Sequence, residues 1–299
     1  MAKFERYARL EIYRGSVFSS HTLWKKYDFK SSYDCMNMKF KVEHPSSVKD
    51  ANKATISVCG MTRDVVSQLT MFSSRVLNQN KYVHVKLFVG YKDDNDLTQI
   101  FAGQVIAAKP TQPPDVWLEM ECVGDFERKH EYICKYTSKS NKLKQIYEFG
   151  SQWMGLSLDW KVQKEGNQIT VPNFSYEGAV SDFPRLMNKR YPCVEAFTSL
   201  DGKKLVCFDS DSPDCGKGAW IISKDTCMIG VPEPDATGVK LSVFLSVRAE
   251  HGLKILLKSD VFPQANGTYV IYDVTHRGEI RGSEWVTDLV CHQPTRFAG

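Results

Sequence analysis

The stretch from Gly252 to Cys291 constrains the fold more than any other part of the chain. Gly252-Leu253-Lys254-Ile255-Leu256-Leu257-Lys258, Asn266 to His276 and Glu284 to Cys291 are runs rich in β-branched and aromatic residues, parted by clusters of Gly, Pro, Asn and Ser. They predict three successive antiparallel strands, and no helical period fits them. An earlier stretch follows the same plan: Val83 to Tyr91, Ile100 to Ala108, a polar excursion, then Val116-Trp117-Leu118-Glu119-Met120-Glu121-Cys122. Each copy ends on a strand, a polar loop, a Trp, alternating residues and a Cys. A duplicated β-unit leaves such a pattern, although any two β-meanders share much of it.

The remaining chain supports a mainly β protein with a mixed insert. Arg9 to Arg14, Trp24 to Phe29, Asp34 to Val42 and Ala54 to Cys59 alternate or run as strands. In the third of these, Asn37, Lys39 and Lys41 share one face and Cys35 or its neighbours the other. Alternation does not say whether Lys39, Lys41, Lys254 and Lys258 face a lumen or the exterior. Thr62 offers an N-cap for an amphipathic helix over about 63–77, placed to cover one end of a sheet. Asp93-Asp94-Asn95-Asp96 reads as a turn between two strands, and the Pro-rich loop Lys109 to Asp115 as a hairpin connection.

A shift in composition near Thr137 marks a boundary. Leu143, Ile146, Tyr147, Phe149 and Trp153 form a helical stripe that core packing explains, with Asn141 near its start and Gly155 after its end. A second helix around 182–189 and the strands 194–197 and 204–208, joined by Asp201-Gly202, complete a small α+β body. The last β-unit begins at Met228, with Val239 to Leu245 as its first strand. The expected domains are residues 1–136, 137–222 and 223–299: two antiparallel β-barrels flanking a small α+β domain. At 299 residues, each can bury a core.

Composition excludes more than it identifies. With 39 basic and 35 acidic residues, the net charge is +4 and the basic residues are scattered. The longest cluster, Lys139 to Lys144, is placed on the opening of a helix as a solvated face rather than a nucleic-acid site. The nine cysteines are odd in number, lack Cys-x-x-Cys spacing and alternate with apolar residues, as buried free thiols of a reducing cytosol do. The first residues lack the apolar core of a signal peptide, and no run reaches the ~18 apolar residues of a membrane span. The expectation is synthesis in the cytoplasm without membrane insertion.

No catalytic signature is present: no Gly-x-Ser-x-Gly elbow, phosphate-binding loop, His-Glu-x-x-His or dinucleotide fingerprint. The seven histidines are dispersed in sequence. His276 lies near Asp273 and Glu279, and a hairpin histidine bonded to a neighbouring carboxylate explains it without acid-base chemistry. Glu177 beside Tyr176 reads as a loop carboxylate. Asp209, Asp211 and Asp214 lack the far glutamate of a calcium loop, and Pro213 interrupts them. The expectation is therefore no catalytic, cofactor-binding or metal residue, and no cofactor.

The C-terminal segments Met228 to Pro232, Gly238-Val239, Leu256 to Ser259, Asn266 to Val270 and Asp273 to Thr287 resemble the baseplate hub proteins of contractile-tailed bacteriophages. Ile100 to Ile106 and Trp117 to Cys122 are similar to their N-terminal half. The similarity covers most of the chain through loose, non-catalytic motifs; where the last loop more usually has Gly-Asp, this chain has Gly278-Glu279. The resemblance implies a structural homotrimer related to the base of type VI secretion spikes, each chain giving two tube-like β-barrels to a pseudo-sixfold ring. It implies as partners the tail tube protein, the cell-puncturing spike, other baseplate proteins and the tape measure protein, with genomic DNA only passing through the lumen. The place implied is the virion's tail baseplate, with the host cytoplasm during assembly. The alternatives are a tail-associated cell-wall hydrolase, which needs paired carboxylates or a nucleophile, and a glycan-binding β-module with Trp24 or Trp220 lining a groove.

Overall fold

A computed structural model describes residues 5–16, 22–31, 36–45, 52–73, 81–91, 97–124, 133–163, 165–199, 201–210 and 218–293. The N-terminal part contains β1 (Arg6–Ser16), β2 (Thr22–Lys30), β3 (Asn37–His44), β4 (Lys53–Cys59), α1 (Arg63–Ser73), β5 (Lys81–Tyr91), β6 (Thr98–Pro110) and β7 (Trp117–Gly124). Period-2 patterning dictates these strands: in β3, Met38, Phe40, Val42 and His44 are buried, whereas Lys39 and Lys41 are exposed. The predicted helix is α1, whose Val65 and Leu69 pack into the N-terminal core. Its expected extension over 74–77, the Asp93 to Asp96 turn and Cys35 lie outside the described residues. The Pro-rich segment joins antiparallel β6 and β7, and β6 itself runs through Lys109 and Pro110.

The middle body holds β8 (Ile133–Lys142), α2 (Leu143–Met154), β9 (Ser157–Trp160), β10 (Thr170–Ala179), α3 (Phe183–Arg190), β11 (Val194–Thr198) and β12 (Lys204–Asp209). β8 and β10 pair antiparallel, while β12 takes β11 antiparallel on one side and β9 parallel on the other. The Asp201-Gly202 hairpin forms as read, with Gly202 at φ 67. Helix α2 ends on Gly155 at φ 67, and the Leu156 amide donates to the Ser151 carbonyl.

The predicted α2 stripe is corrected on one side. Leu143, Ile146, Tyr147, Gly150 and Met154 face the core, whereas Phe149 is half-buried and Trp153 is exposed. Phe149 stacks on Tyr136 of β8 at 4.0 Å and touches Trp153 at 5.6 Å, so these rings form a surface ladder beside the core. The Lys139 to Lys144 cluster spans the end of β8 and the opening of α2: Lys139 and Lys142 are on the strand, Lys144 is in the first helical turn, and the Lys142 amide donates to Gln145 Oε1 at the helix start.

The C-terminal part has β13 (Trp220–Ser223), β14 (Met228–Pro234), β15 (Gly238–Phe244), β16 (Lys254–Lys258), β17 (Gly267–Glu279) and β18 (Trp285–His292). Two strands therefore precede the one expected to come first, and β13 joins β16 in parallel, so the strand pairing is not antiparallel throughout. β8 runs across position 137 and β13 across position 223.

The strand order repeats. The N-terminal part runs β3-β4-β7-β6-β5 and the C-terminal part β14-β15-β18-β17-β16, all within one 13-stranded sheet. The register slips at the same place in each: between Val105 and Ala107 on β6, opposite Cys122 and Glu121, and between Ile271 and Asp273 on β17, opposite Cys291 and Val290. Matching the slips aligns Val105 with Ile271 and Cys122 with Cys291, and all four are buried. Beyond these shared strands the parts differ: β5 continues into β1 and β2, and β16 into β13.

Candidate functional site

Among the described residues, the strand pairing that joins the two five-strand arrays is built on β17. This 13-residue strand pairs with β18 along one side. Along its other side it takes β16 over its first residues and β3 over Val274 to Glu279. A strand longer than either neighbour is what allows both arrays to share it. Beyond the shared strand, the β17–β18 hairpin pushes its tip into the N-terminal core, where Ile280 and Trp285 are buried with Leu245.

Polar contacts fix that tip. The Arg6 guanidinium donates to the carbonyls of Glu279 at 2.7 Å and Gly282 at 2.6 Å, and lies 5.7 Å from the centre of the Trp285 ring. The Ile280 amide donates to the Met38 carbonyl at 3.0 Å, and the Tyr91 hydroxyl to the Leu245 carbonyl at 3.1 Å. Trp285 meets Phe40 edge to face at 5.5 Å, an arrangement that adds to the area the rings bury. A Cβ at Gly278 would run into the Phe40 ring and Trp285. Lys39 pairs with Glu279 at 3.2 Å, and Arg277 with Asp288 at 2.7 Å.

Buried at the head of this joint are two histidines that the sequence leaves far apart. The His44 and His276 rings meet edge to face at 6.0 Å. His44 Nε2 donates to the Ile100 carbonyl at 2.9 Å. His276 Nδ1 lies 2.9 Å from the Thr287 hydroxyl, which also accepts the Ser246 amide. Loss of water pushes the His44 pKa down to about 4, against smaller lifts from the Ile100 carbonyl and the Asn52 side chain. Loss of water, with the neighbouring His44, pushes His276 down to about 3. Both rings are therefore neutral at physiological pH. The expected carboxylate partner of His276 is overturned: its partner is the Thr287 hydroxyl on the adjacent β18, because alternation along β17 turns His276 inward while Asp273 and Glu279 fall on the other face, where Glu279 pairs with Lys39.

A cleft of about 330 Å3 lies between the start of β6, the strands β9, β11 and β12, and the turn before β16. Its charges include both signs, with Lys161 and Asp159 paired at 3.4 Å. His251 on its rim holds the Tyr272 carbonyl through Nδ1 at 2.5 Å and stacks on Phe208. The Ser199 hydroxyl donates to the Asp201 carboxylate at 2.5 Å at its edge, and the Asp201 carboxylate also accepts the Lys203 amide at 3.1 Å.

The other residues singled out in the sequence fall as follows. Glu177 is on β10, paired with Lys135 of β8 at 3.0 Å, and is not a loop residue. Asp209 closes β12 and accepts the Gln163 amide at 2.8 Å; Asp211 and Asp214 lie outside the described residues. Trp220 is buried, and the Trp24 ring is covered by the Arg14 guanidinium 3.0 Å from its centre, so neither lines a groove. Lys41 pairs with Glu43, and Lys258 is exposed at the end of β16. Among the described residues no group of three or more His, Cys, Asp or Glu could hold a metal ion. Among them, too, no helix is long and apolar enough to cross a membrane. The seven described cysteines are free, and burial raises the thiol pKa of Cys122, Cys207 and Cys291.

Known proteins place this arrangement. A family model described as "Baseplate hub gp41" matches residues 26–291. The tail protein from Neisseria meningitidis MC58 aligns with a TM-score of 0.60 at 8% identity over 95% of this chain and 96% of that one. The 43 kDa tail protein of prophage MuSo2 from Shewanella oneidensis gives 0.57 at 9% identity over 95% and 98%. An Escherichia coli type VI secretion component gives 0.56 at 11% identity over 87% and 74%, and is described as structurally similar to bacteriophage T4 tail proteins. These likenesses concern the fold. No curated protein sequence matches the chain.

Proposed function

The chain belongs to the baseplate hub gp41 family, and from that premise we propose that three copies form a pseudo-sixfold ring at the base of a contractile phage tail. The ring joins the tail tube to the cell-puncturing spike, contacts neighbouring baseplate proteins and the tape measure protein, and leaves a central passage for DNA. The family is a structural one, and the role is mechanical. The protein acts in the virion, after assembly in the host cytoplasm.

The observation that carries this reading is the repeated strand order with its matching register slip. One polypeptide with two equivalent arrays lets three subunits offer six similar places to a sixfold tube while keeping threefold symmetry for a spike. The proposed barrel domains, 1–136 and 223–299, follow the two arrays. The α+β domain, 137–222, follows the middle body, to within the few residues by which β8 and β13 cross the limits. Structural neighbours from phage tails and from a complex containing the spike protein VgrG support the placement.

Light scattering coupled to size-exclusion chromatography, with electron microscopy of the same fractions, tests it. Trimeric rings are the expected result. A chain that stays monomeric at high concentration and in the presence of its tail partners refutes it.

A further inference from the structure

The joint between the two arrays has a second half-copy that a single chain leaves uncovered. In the matched register, Val116 stands where β18 carries Trp285, and Pro110 where β17 carries His276. On the other side of the joint, the Pro234 position of β14 corresponds to Val42 of β3, and the bulge containing Val231 to Phe40. The apolar and aromatic side chains on the inner face of the filled joint are buried: Phe40 and Trp285 are each 4% exposed, and Val42 and His276 are each 0%. Their counterparts are more open: Val116 is 42% exposed, Val231 is 50% exposed beside the buried Pro232 of the same bulge, and Pro110 and Pro234 are at the surface. Large apolar side chains left bare on two corresponding edges mark a contact surface.

We infer that a second copy of this chain covers it. The partner's β14, with the turn that follows, lies antiparallel along the end of β6, as β3 lies along the end of β17, and its Val231 meets Val116. This rests on the ring reading above and specifies which surfaces close the ring. Each chain gives β14 to one neighbour and β6 to the other, so the contact is head to tail.

Charge supports the same register. Thr275 faces Glu43 in the filled joint, and the matching positions are Lys109 and Asp235, both exposed; Asp235 also lies 3.0 Å from Lys240 of its own chain, so Lys109 would join that pair. The two joints differ in how they hold. The Thr111 amide donates to β7 and the Asp235 amide to Gly238, so in an alternating strand the positions of Pro110 and Pro234 point outward. Proline has no amide hydrogen to offer there. The joint between copies thus forgoes backbone bonds where β3 and β17 make them, and side chains carry it. The same prolines guard the edge against unspecific strand addition.

The full-length Lys109→Cys/Asp235→Cys protein tests the register. Residues opposed in a non-hydrogen-bonded antiparallel pair have Cα atoms ~4.5 Å apart, within the ~4.4–6.8 Å that a disulfide spans. Mild oxidation should give covalent dimers and trimers on non-reducing gels, with neither single variant exceeding the wild-type background. Lys109→Glu should raise the concentration for half-assembly about fivefold, and adding Asp235→Lys should restore it. Trimers that assemble without forming the cross-link overturn this joint and leave the ring standing. A chain that neither cross-links nor leaves the monomer overturns both.

Discussion

Acidification should loosen the protein through His44 and His276, because both rings are buried and neutral where the two arrays meet. An ordinary histidine titrates at about 6.5, and the folded values here are about 4 and about 3. Both folded values lie below the unfolded one. The stabilising contribution is therefore complete above the unfolded pKa and is lost as pH falls towards the folded values. At about pH 5 the unfolded chain binds nearly one more proton per ring than the folded chain, which costs the fold ~2 kcal/mol per histidine relative to neutral pH. Together the two account for ~4 kcal/mol, a large part of the ~5–15 kcal/mol that holds a typical domain. The assay is urea unfolding at neutral pH and at about pH 5, with wild type compared with His44→Gln/His276→Gln, so that carboxylate titrations common to both proteins cancel. Wild type should lose several kcal/mol more than the variant. If the variant does not fold, the imidazole resonances of the wild type report the same quantity. Equal losses in the two proteins, or rings that titrate near 6.5, would refute the reasoning.

Two further outcomes follow from the joint. Trp285→Ala removes the ring seated on Phe40 and beneath Arg6, and should cost about 3–5 kcal/mol in chemical denaturation; a loss below ~1 kcal/mol would mean that the hairpin tip is not held by this contact. Gly278→Ala drives a methyl group against the Phe40 ring and should lower stability by about 1–3 kcal/mol. Phe40→Leu on that background should recover part of the loss, whereas no recovery would place the strain elsewhere.

Much of the architecture was legible from local pattern. Alternation in β3 and the Gly-bounded runs of β16, β17 and β18 identify strands because successive side chains point to opposite faces. The Asp201-Gly202 hairpin and the Gly155 helix end are decided by residues that tolerate a left-handed backbone. Phe149 and Trp153 were misplaced because a helical stripe gives the direction of a side chain but not how far the core extends beneath it. Glu177 reads as a loop carboxylate because no strand is recognised around it from sequence; its place on β10 follows from the pairing with β8.

The sequence by itself determined most strands of the two β-units and which of their residues share a face, and it suggested that the units follow a common plan, since these depend on neighbours along the chain. Tertiary structure alone decided that β17 takes β3 beside β16, that His44 meets His276, and that Arg6 grips the hairpin tip. A strand's outward amides and carbonyls look alike to every possible partner. Only burial of specific side chains at a distance, here Phe40 against Trp285 and Ile280 in the N-terminal core, selects one pairing over the others.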